Sequence, residues 1–250
     1  MGGALHLYAL KISAIIPARM GSTRLPGKPL ADIGGTPMVV HTWRAAAQHP
    51  AIDSACVATD HTEIADAVRE AGGEVILTAS SHSTGTDRCL EAWKKWGRQG
   101  AVINLQGDEP FPEPTHISAI CTALKSGLTD VVSAMRPAIG EEAKRPERVK
   151  VATNEAHRAL YFSRSPIPHG GPHFVHLGIY GFAPNMLAHC AALPVGRLET
   201  LEKLEQLRWV EAGVTIGMVS VNCESGPGSV DTLADLERVR KWHAQQPKST

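Results

Sequence analysis

The residues best suited to chemistry gather early in the chain. Ala18-Arg19-Met20-Gly21-Ser22-Thr23-Arg24-Leu25-Pro26-Gly27-Lys28-Pro29 brings two arginines, a lysine, two hydroxyls and two glycines into one loop. It follows directly on the apolar, strand-like run Ile12-Ser13-Ala14-Ile15-Ile16-Pro17. Such a loop turns backbone N–H groups and cations toward one spot, which is what a polyphosphate requires. Two carboxylates occupy comparable settings far downstream. Asp108 lies in Gln106-Gly107-Asp108-Glu109-Pro110, just past an apolar run, where Gly107 permits close backbone approach and Pro110 stiffens the turn. Asp231 lies in Ser229-Val230-Asp231-Thr232, after a strand-like run and before a helical one. By residue type alone, Asp108 reads equally as a turn residue and Asp231 as a helix cap, with Thr232 competing for that place.

The spacing excludes two common nucleotide motifs. A Walker A loop needs G-x-x-x-x-G-K-[ST] running into a helix, whereas Gly21 and Gly27 are one residue too far apart and Pro29 follows Lys28. No G-x-G-x-x-G follows any strand-like run, so a dinucleotide site of the Rossmann kind has no support. His169, His173 and His176 have a spacing that invites zinc, but Gly170-Gly171-Pro172 makes the segment a loop and no cysteine lies near.

Positioning these groups requires a sheet, and the chain alternates strand and helix signals. Strands are predicted at Ile12–Ile16, Ser54–Ala58, Glu74–Leu77, Ala101–Leu105 and Asp130–Ala134, with helices at Met38–Gln48, Glu63–Ala71, Asp87–Trp96 and Thr115–Lys125. Pro37 suits a first helical turn and Gly72-Gly73 a helix end. This alternation implies an α/β fold with a mainly parallel sheet covered on both faces, which binds ligands beyond the carboxyl ends of its strands. The phosphate loop, Asp60 and the 106–109 turn all fall at such ends. Val149–Ala152, Ala159–Ser163 and His176–Phe182 read instead as a smaller antiparallel insertion, followed by a helix over about Glu199–Ala212, a strand Thr215–Val221 and a last helix from about Thr232 to Ala244. No linker or repeat interrupts the chain, so one domain is expected. Residues of about 11–135 and 214–246 would form the nucleotide-binding part, and about 136–213 a smaller lobe, to which the family resemblance given below assigns acceptor binding and dimerisation.

Composition narrows the function class. The 250 residues suffice for one large α/β domain with a buried core, and 43% hydrophobic with 20% charged residues is ordinary for a soluble globule. A formal net charge of +0 with no basic run argues against a nucleic-acid polymer as partner. The scattered Cys56, Cys89, Cys121, Cys190 and Cys223 read as free thiols in a reducing compartment. The Leu5–Leu10 run is too short for a signal peptide, and nothing reaches the roughly 18 apolar residues of a membrane span, so a cytoplasmic protein is expected.

The loop at 18–29 resembles the signature of sugar-nucleotide transferases, in particular the 3-deoxy-manno-octulosonate (Kdo) cytidylyltransferase family. The resemblance recurs in order along nearly the whole chain: Val57-Ala58-Thr59-Asp60, Ser83-Thr84-Gly85-Thr86-Asp87-Arg88, Leu105-Gln106-Gly107-Asp108-Glu109-Pro110, Tyr161-Phe162-Ser163-Arg164, His176-Leu177-Gly178-Ile179-Tyr180-Gly181, Leu204-Glu205-Gln206-Leu207-Arg208 and Val230-Asp231-Thr232. It implies a nucleotide-diphospho-sugar-transferase-like fold and transfer of CMP from CTP to an acid, with pyrophosphate released and a homodimer as the working form. Asp108 and Asp231 would then hold Mg²⁺ on the CTP phosphates, a hard cation that takes one or two carboxylates plus phosphate oxygens. Arg19 and Lys28 would neutralise charge developing on the departing pyrophosphate, with Ser22, Thr23 and Arg24 beside them. Arg24 could equally pin the loop to a local carboxylate. Thr59, Ser83 and Arg88 become candidates for the base and ribose pocket, although Arg88 alone would read as a surface cation.

On the acceptor side the same resemblance implicates Gln106, Arg164, His176, Tyr180, Glu205 and Gln206. Arg164 could fork onto an acid, and the others offer hydrogen bonds to hydroxyls. Glu205 follows Leu201 by one turn and would sit at the edge of an apolar helix stripe, where a carboxylate is costly without partners. By itself His176 reads as a satisfied core histidine. The chain departs from the family where a longer charged and aromatic loop shrinks to His169–Val175, where Val175 replaces the usual lysine, and in the atypical Glu224–Ser229. The Arg136–Arg148 segment is hard to align. A changed acceptor, such as an amino-Kdo analogue or a small phosphonate, is therefore an alternative to Kdo. Other rivals are a UTP- or GTP-dependent sugar-phosphate nucleotidyltransferase and a non-catalytic nucleotide-binding protein.

Overall fold

The computed structural model describes residues 10–22, 24–222 and 226–247. The chain opens with β1 (Ile12–Ala18), a short hairpin of β2 (Asp32–Ile33) and β3 (Thr36–Pro37), and then α1 (Met38–Ala47). Next come β4 (Ser54–Thr59), α2 (Thr62–Glu70), β5 (Glu74–Leu77), α3 (Gly85–Trp96), β6 (Ala101–Asn104), α4 (Pro114–Ser126) and β7 (Val131–Pro137). The later part holds β8 (Lys150–Thr153), β9 (Ala159–Ser163), β10 (Phe174–Phe182), α5 (Met186–Ala192), α6 (Arg197–Glu202), α7 (Gln206–Glu211), β11 (Ile216–Ser220) and α8 (Leu233–Ala244). The sheet runs in the order β11-β7-β10-β6-β1-β4-β5, with β8 and β9 attached beside β10. Its pairings are parallel except around β10, which runs antiparallel to both β6 and β7, and in the β8–β9 pair. The α/β architecture with an antiparallel insertion is thus as the sequence implies.

Each strand sorts its residues by period two. Ile12, Ala14 and Ile16 of β1 join Val57 and Ile103 in the core beneath α1, α2 and α4. Ile15 joins Cys56, Val102, Phe182 and Trp209 in a second core beneath α3, α5 and α7. Both sheet faces are covered, which is why the strands read as continuous apolar runs. Pro17 is tolerated inside this central strand because the ladder with β6 stops at Ile15↔Asn104, so its missing N–H breaks no rung there. The four described cysteines are free and buried, and burial pushes the Cys121 thiol up to about 11.

The helix expected over Glu199–Ala212 is two helices. Lys203 turns left-handed at φ 55, ending α6 and letting Glu205 lead into α7. Long-range contacts impose the break. Arg164 donates from Nε to the Glu202 carbonyl (3.1 Å) and from Nη2 to the Lys203 carbonyl (3.3 Å), satisfying the end of α6. Arg208 of α7 then folds back onto Glu199 of α6 with two 2.7 Å bonds. The β2–β3 hairpin and α5 are further elements the periodicity did not reveal. They are too short for a period to register.

Candidate active site

Two clefts open beyond the carboxyl ends of β1 and β6, and Gln106 and Asp108 line both. The shared wall exists because Gly107 lies against β1: a Cβ built there would sit 2.8 Å from the Pro17 carbonyl oxygen. That is the close approach expected of this glycine.

The first cleft encloses about 340 Å³ and is lined by Arg19, Gly21, Ser22, Arg24 and Lys28 from the loop, by His82, Thr84, Gly85 and Arg88, and by Asp231. Lys28 sits at its centre. Its Nζ donates to Asp108 Oδ2 (3.0 Å), Asp231 Oδ1 (3.2 Å) and the Val230 carbonyl (2.9 Å). Arg24 reaches the same Asp231 Oδ1 at 3.0 Å, so its carboxylate partner is distant in sequence rather than local. The Val230 N–H donates to the Asp108 carbonyl at 2.8 Å, and Asp235 Oδ2 accepts from the Asp231 N–H at the start of α8, which fixes the remote segment against the 106–109 turn. Asp231 does not directly follow a strand as expected: β11 ends at Ser220 and a stretch of loop intervenes. Arg19 lines the cleft with no carboxylate partner among the described residues, leaving its charge available to an anion.

Mg²⁺ prefers oxygen donors and is usually held by one or two carboxylates plus phosphates. Asp108 Oδ2 and Asp231 Oδ1 converge on one point, the Lys28 ammonium, so the donor set fits such an ion if phosphates complete its shell. Among the described residues no three His, Cys, Asp or Glu side chains gather as a protein-only metal site.

The base-pocket candidates divide. Arg88 is not a surface cation but is 3% exposed, paired with Asp60 Oδ1 at 3.1 Å and donating to Thr78 Oγ1 at 2.6 Å, and it reaches the cleft. Thr59 is fully buried at the end of β4, where its Oγ1 accepts from the His61 N–H, and it does not line the cleft. Ser83 is exposed and also stands outside the lining, while Thr23 lies outside the described residues. His82 and Thr84 line the cleft unanticipated. Thr84 was legible as the cap of α3, its Oγ1 accepting from the Asp87 N–H at 3.1 Å. His82 bonds through Nε2 to Glu91, whose carboxyl is pulled down to about 2 by Lys95, the Ala79 N–H and His82.

The second cleft encloses about 420 Å³ and contains Gln106, Arg164, His176, Tyr180 and Gln206. The structure thus brings five of the six acceptor candidates together. His176 and Tyr180 flank a β-bulge in β10 between Leu177 and Tyr180, which re-aims side chains out of the regular pleat. Ser133 Oγ of β7 fills the bulge, donating to the Ile179 carbonyl at 2.8 Å and lying 2.9 Å from His176 Nε2. With that hydroxyl proton committed, His176 donates from Nε2 and keeps Nδ1 as an acceptor. Burial lowers the imidazole to about 3, so it is neutral at working pH. Tyr180 packs edge-on to Trp209, and burial followed by the Glu205 charge raises its phenol. Glu205 is the exception. It lines neither cleft and occupies no apolar helix stripe: Leu201 is exposed, and Glu205 stands at the start of α7, accepting from Thr86 Oγ1 at 2.8 Å beside the first turn of α3. Burial raises its carboxyl, offset by the Thr86 and Thr84 hydroxyls. Arg164 faces the cleft while three of its nitrogens donate to the Glu202, Pro146 and Lys203 carbonyls. Glu147, Arg148 and Val149 form a wall that the sequence did not place in the site, and no residue of 169–175, the shortened loop, lines either cleft.

The chain is similar in sequence and fold to known proteins. Residues 13–216 match the cytidylyltransferase family model. The chain is 46% identical over 236 residues to a 3-deoxy-manno-octulosonate cytidylyltransferase of Anaeromyxobacter sp. (strain K), covering 92% of this chain and 96% of that one. It is 45% identical over 240 residues to a protein of the same name from Bradyrhizobium sp. (strain ORS 278), with 92% and 96% covered. Its fold superposes with TM-score 0.88 and 40% identity on a CMP:2-keto-3-deoxy-manno-octonic acid synthetase solved with CTP, covering 94% of this chain and 99% of that one. A cytidylyltransferase structure from Leptospira borgpetersenii, at 15% identity and TM-score 0.65, shares the fold.

Proposed function

The chain belongs to the cytidylyltransferase family, and on that premise we propose that it transfers CMP from CTP to Kdo, giving CMP-Kdo and pyrophosphate. The observation that carries the reading is the pair of clefts sharing Gln106 and Asp108, one rich in cations and carboxylates, the other in hydrogen-bonding groups. A triphosphate in the first and a polyhydroxy acid in the second would meet at that wall. The acceptor hydroxyl gives up its proton to solvent as its oxygen attacks the α-phosphorus in line, a P–O bond forms, and the bond to the bridging oxygen breaks, its electron pair leaving with pyrophosphate. Positioning and charge stabilisation dominate such transfers. Arg19 and Lys28 balance the negative charge that grows on the leaving group. Asp108 and Asp231 would hold Mg²⁺, which when bound offsets phosphate charge. Neutral His176 offers Nδ1 to an acceptor hydroxyl, and Gln106 and Gln206 offer amides.

No residue of the shortened 169–175 loop lines either cleft, which supports Kdo, whereas Glu147, Arg148 and Ser229 of the other atypical segments do line the second, so the acceptor panel decides between Kdo and a changed acid. The reading carries with it a cytoplasmic enzyme working as a homodimer, testable by cell fractionation and light scattering. Among the described residues no helix is long and apolar enough to cross a membrane. The deciding experiment is pyrophosphate release with CTP, Mg²⁺ and a panel of Kdo, its amino analogue, sialic acid and small phosphonates. Kdo should turn over best. Turnover confined to another acid, or preference for UTP or GTP in competition, would overturn the assignment.

A further inference from the structure

The wall at 147–149 is held by two buried cations that no nucleotide-side contact explains. Lys150 is fully buried and has no carboxylate at ion-pair distance among the described residues. Its Nζ donates instead to the carbonyls of Arg145 (2.9 Å), Arg148 and Arg164. A buried ammonium is costly unless its protons are satisfied, and here all three go to carbonyls, two of them those of the cleft-lining Arg148 and Arg164. Arg136, 4% exposed, grips Glu142 with bonds of 2.8 and 2.7 Å, and Glu142 Oε1 lies 3.4 Å from Arg148 Nε. Arg148 is therefore fixed through its own carbonyl and through Nε, while neither Nη has a partner among the described residues. Arg164, the other guanidinium of this cleft, already uses Nε, Nη1 and Nη2 on carbonyls. A carboxylate is best received by the open edge of a guanidinium, two parallel bonds at once.

We propose that Arg148 is an acceptor-binding residue, presenting its Nη edge to the carboxylate of the acid, and that Lys150 is its positioning residue. This inference rests on the reading that the second cleft takes an acidic acceptor. It assigns a role to a segment that the family resemblance could not align.

The test is initial-rate kinetics with both substrates varied, on the parent, Arg148→Ala, Arg148→Lys and Lys150→Met, each checked by thermal melting. Arg148→Ala should raise the acceptor KM about 10- to 100-fold, the loss of a charge-assisted contact. The CTP KM should stay within about twofold, and melting should match the parent because the side chain is at the surface of the cleft. Arg148→Lys keeps the charge without the fork and should recover only part of the loss. Lys150→Met should show the same one-sided rise in acceptor KM. If it fails to fold, Arg148→Ala decides alone. An acceptor KM for Arg148→Ala within twofold of the parent, or an equal rise in both KM values, overturns the inference. A parent that releases pyrophosphate with no acid in the panel overturns the functional reading, and this inference with it.

Discussion

Replacing Gly107 by alanine tests whether the shared wall sets the rate. The added Cβ would stand 2.8 Å from the Pro17 carbonyl oxygen and 3.4 Å from Ile16 Cγ2, whereas ordinary contact begins near 3.4 Å. Pro17 belongs to the central strand and cannot retreat, so the 106–109 turn must withdraw by about 0.6 Å, the difference between 2.8 and 3.4 Å. That turn carries Asp108, which is 3.0 Å from Lys28 Nζ, and its carbonyl, which holds Val230 and hence Asp231. Overpacking of this kind costs about 1–3 kcal/mol, or roughly 2–12 °C of melting temperature for a chain of this size. Misplacing a reacting group by about 1 Å can cost about 100-fold in rate, so kcat should fall by about 10- to 100-fold. The assay is pyrophosphate release at saturating CTP and acceptor, alongside a melting curve. A folded Gly107→Ala enzyme with kcat within twofold of the parent would refute the claim that backbone contact between β1 and this turn aligns the two clefts.

Other expectations follow from single side chains. Asp108→Ala should abolish pyrophosphate release while circular dichroism and melting stay near parental values, and near-parental activity would remove the metal assignment. His176 is held at about 3, below the ordinary 6.5, so its contribution to stability is complete above pH 6.5 and is lost as pH falls toward 3. Melting of the parent should therefore drop between pH 7 and 5 by more than that of His176→Phe, and equal drops would contradict it. Glu142 is held at about 2 by Arg136, so the stability it gives, on the order of 3 kcal/mol, is present above pH 4.5 and is lost as pH falls through 2. Denaturant titrations should show Glu142→Gln well below the parent at pH 7, with the gap closing in strong acid.

Much of this site was legible in residue order because its parts depend on local rules. Apolar runs ending in Pro17, Thr59 and Gln106 place strand ends, and strand ends in a parallel sheet face ligand. The loop from Arg19 to Lys28 and the turn at Asp108 meet there as expected. What escaped the sequence was set by contacts between distant segments. The break between α6 and α7 depends on Arg164 and on the Arg208–Glu199 pair, so helix periodicity ran straight through it. The same break turned Glu205 away from the acceptor cleft and toward Thr86. Arg88 looked exposed because nothing local announces that Asp60, across the sheet edge, is its partner. The wall at 147–149 has no periodic signal, since its order comes from Lys150 donating to carbonyls.

The place of β10 has a consequence for how the protein is made. In space it lies between β6 and β7, but in the chain it follows both. Without it the sheet is two pieces, β6-β1-β4-β5 and β11-β7, each with an unpaired edge at the gap. A nascent chain leaving the ribosome N-terminus first must carry β6 with that edge open until Phe182 has emerged. The strand that closes the gap is also the one bearing His176 and Tyr180. The joining of β6 to β7 and the placing of His176 and Tyr180 thus wait on the same strand, and Gln206 joins the acceptor cleft only later, with α7.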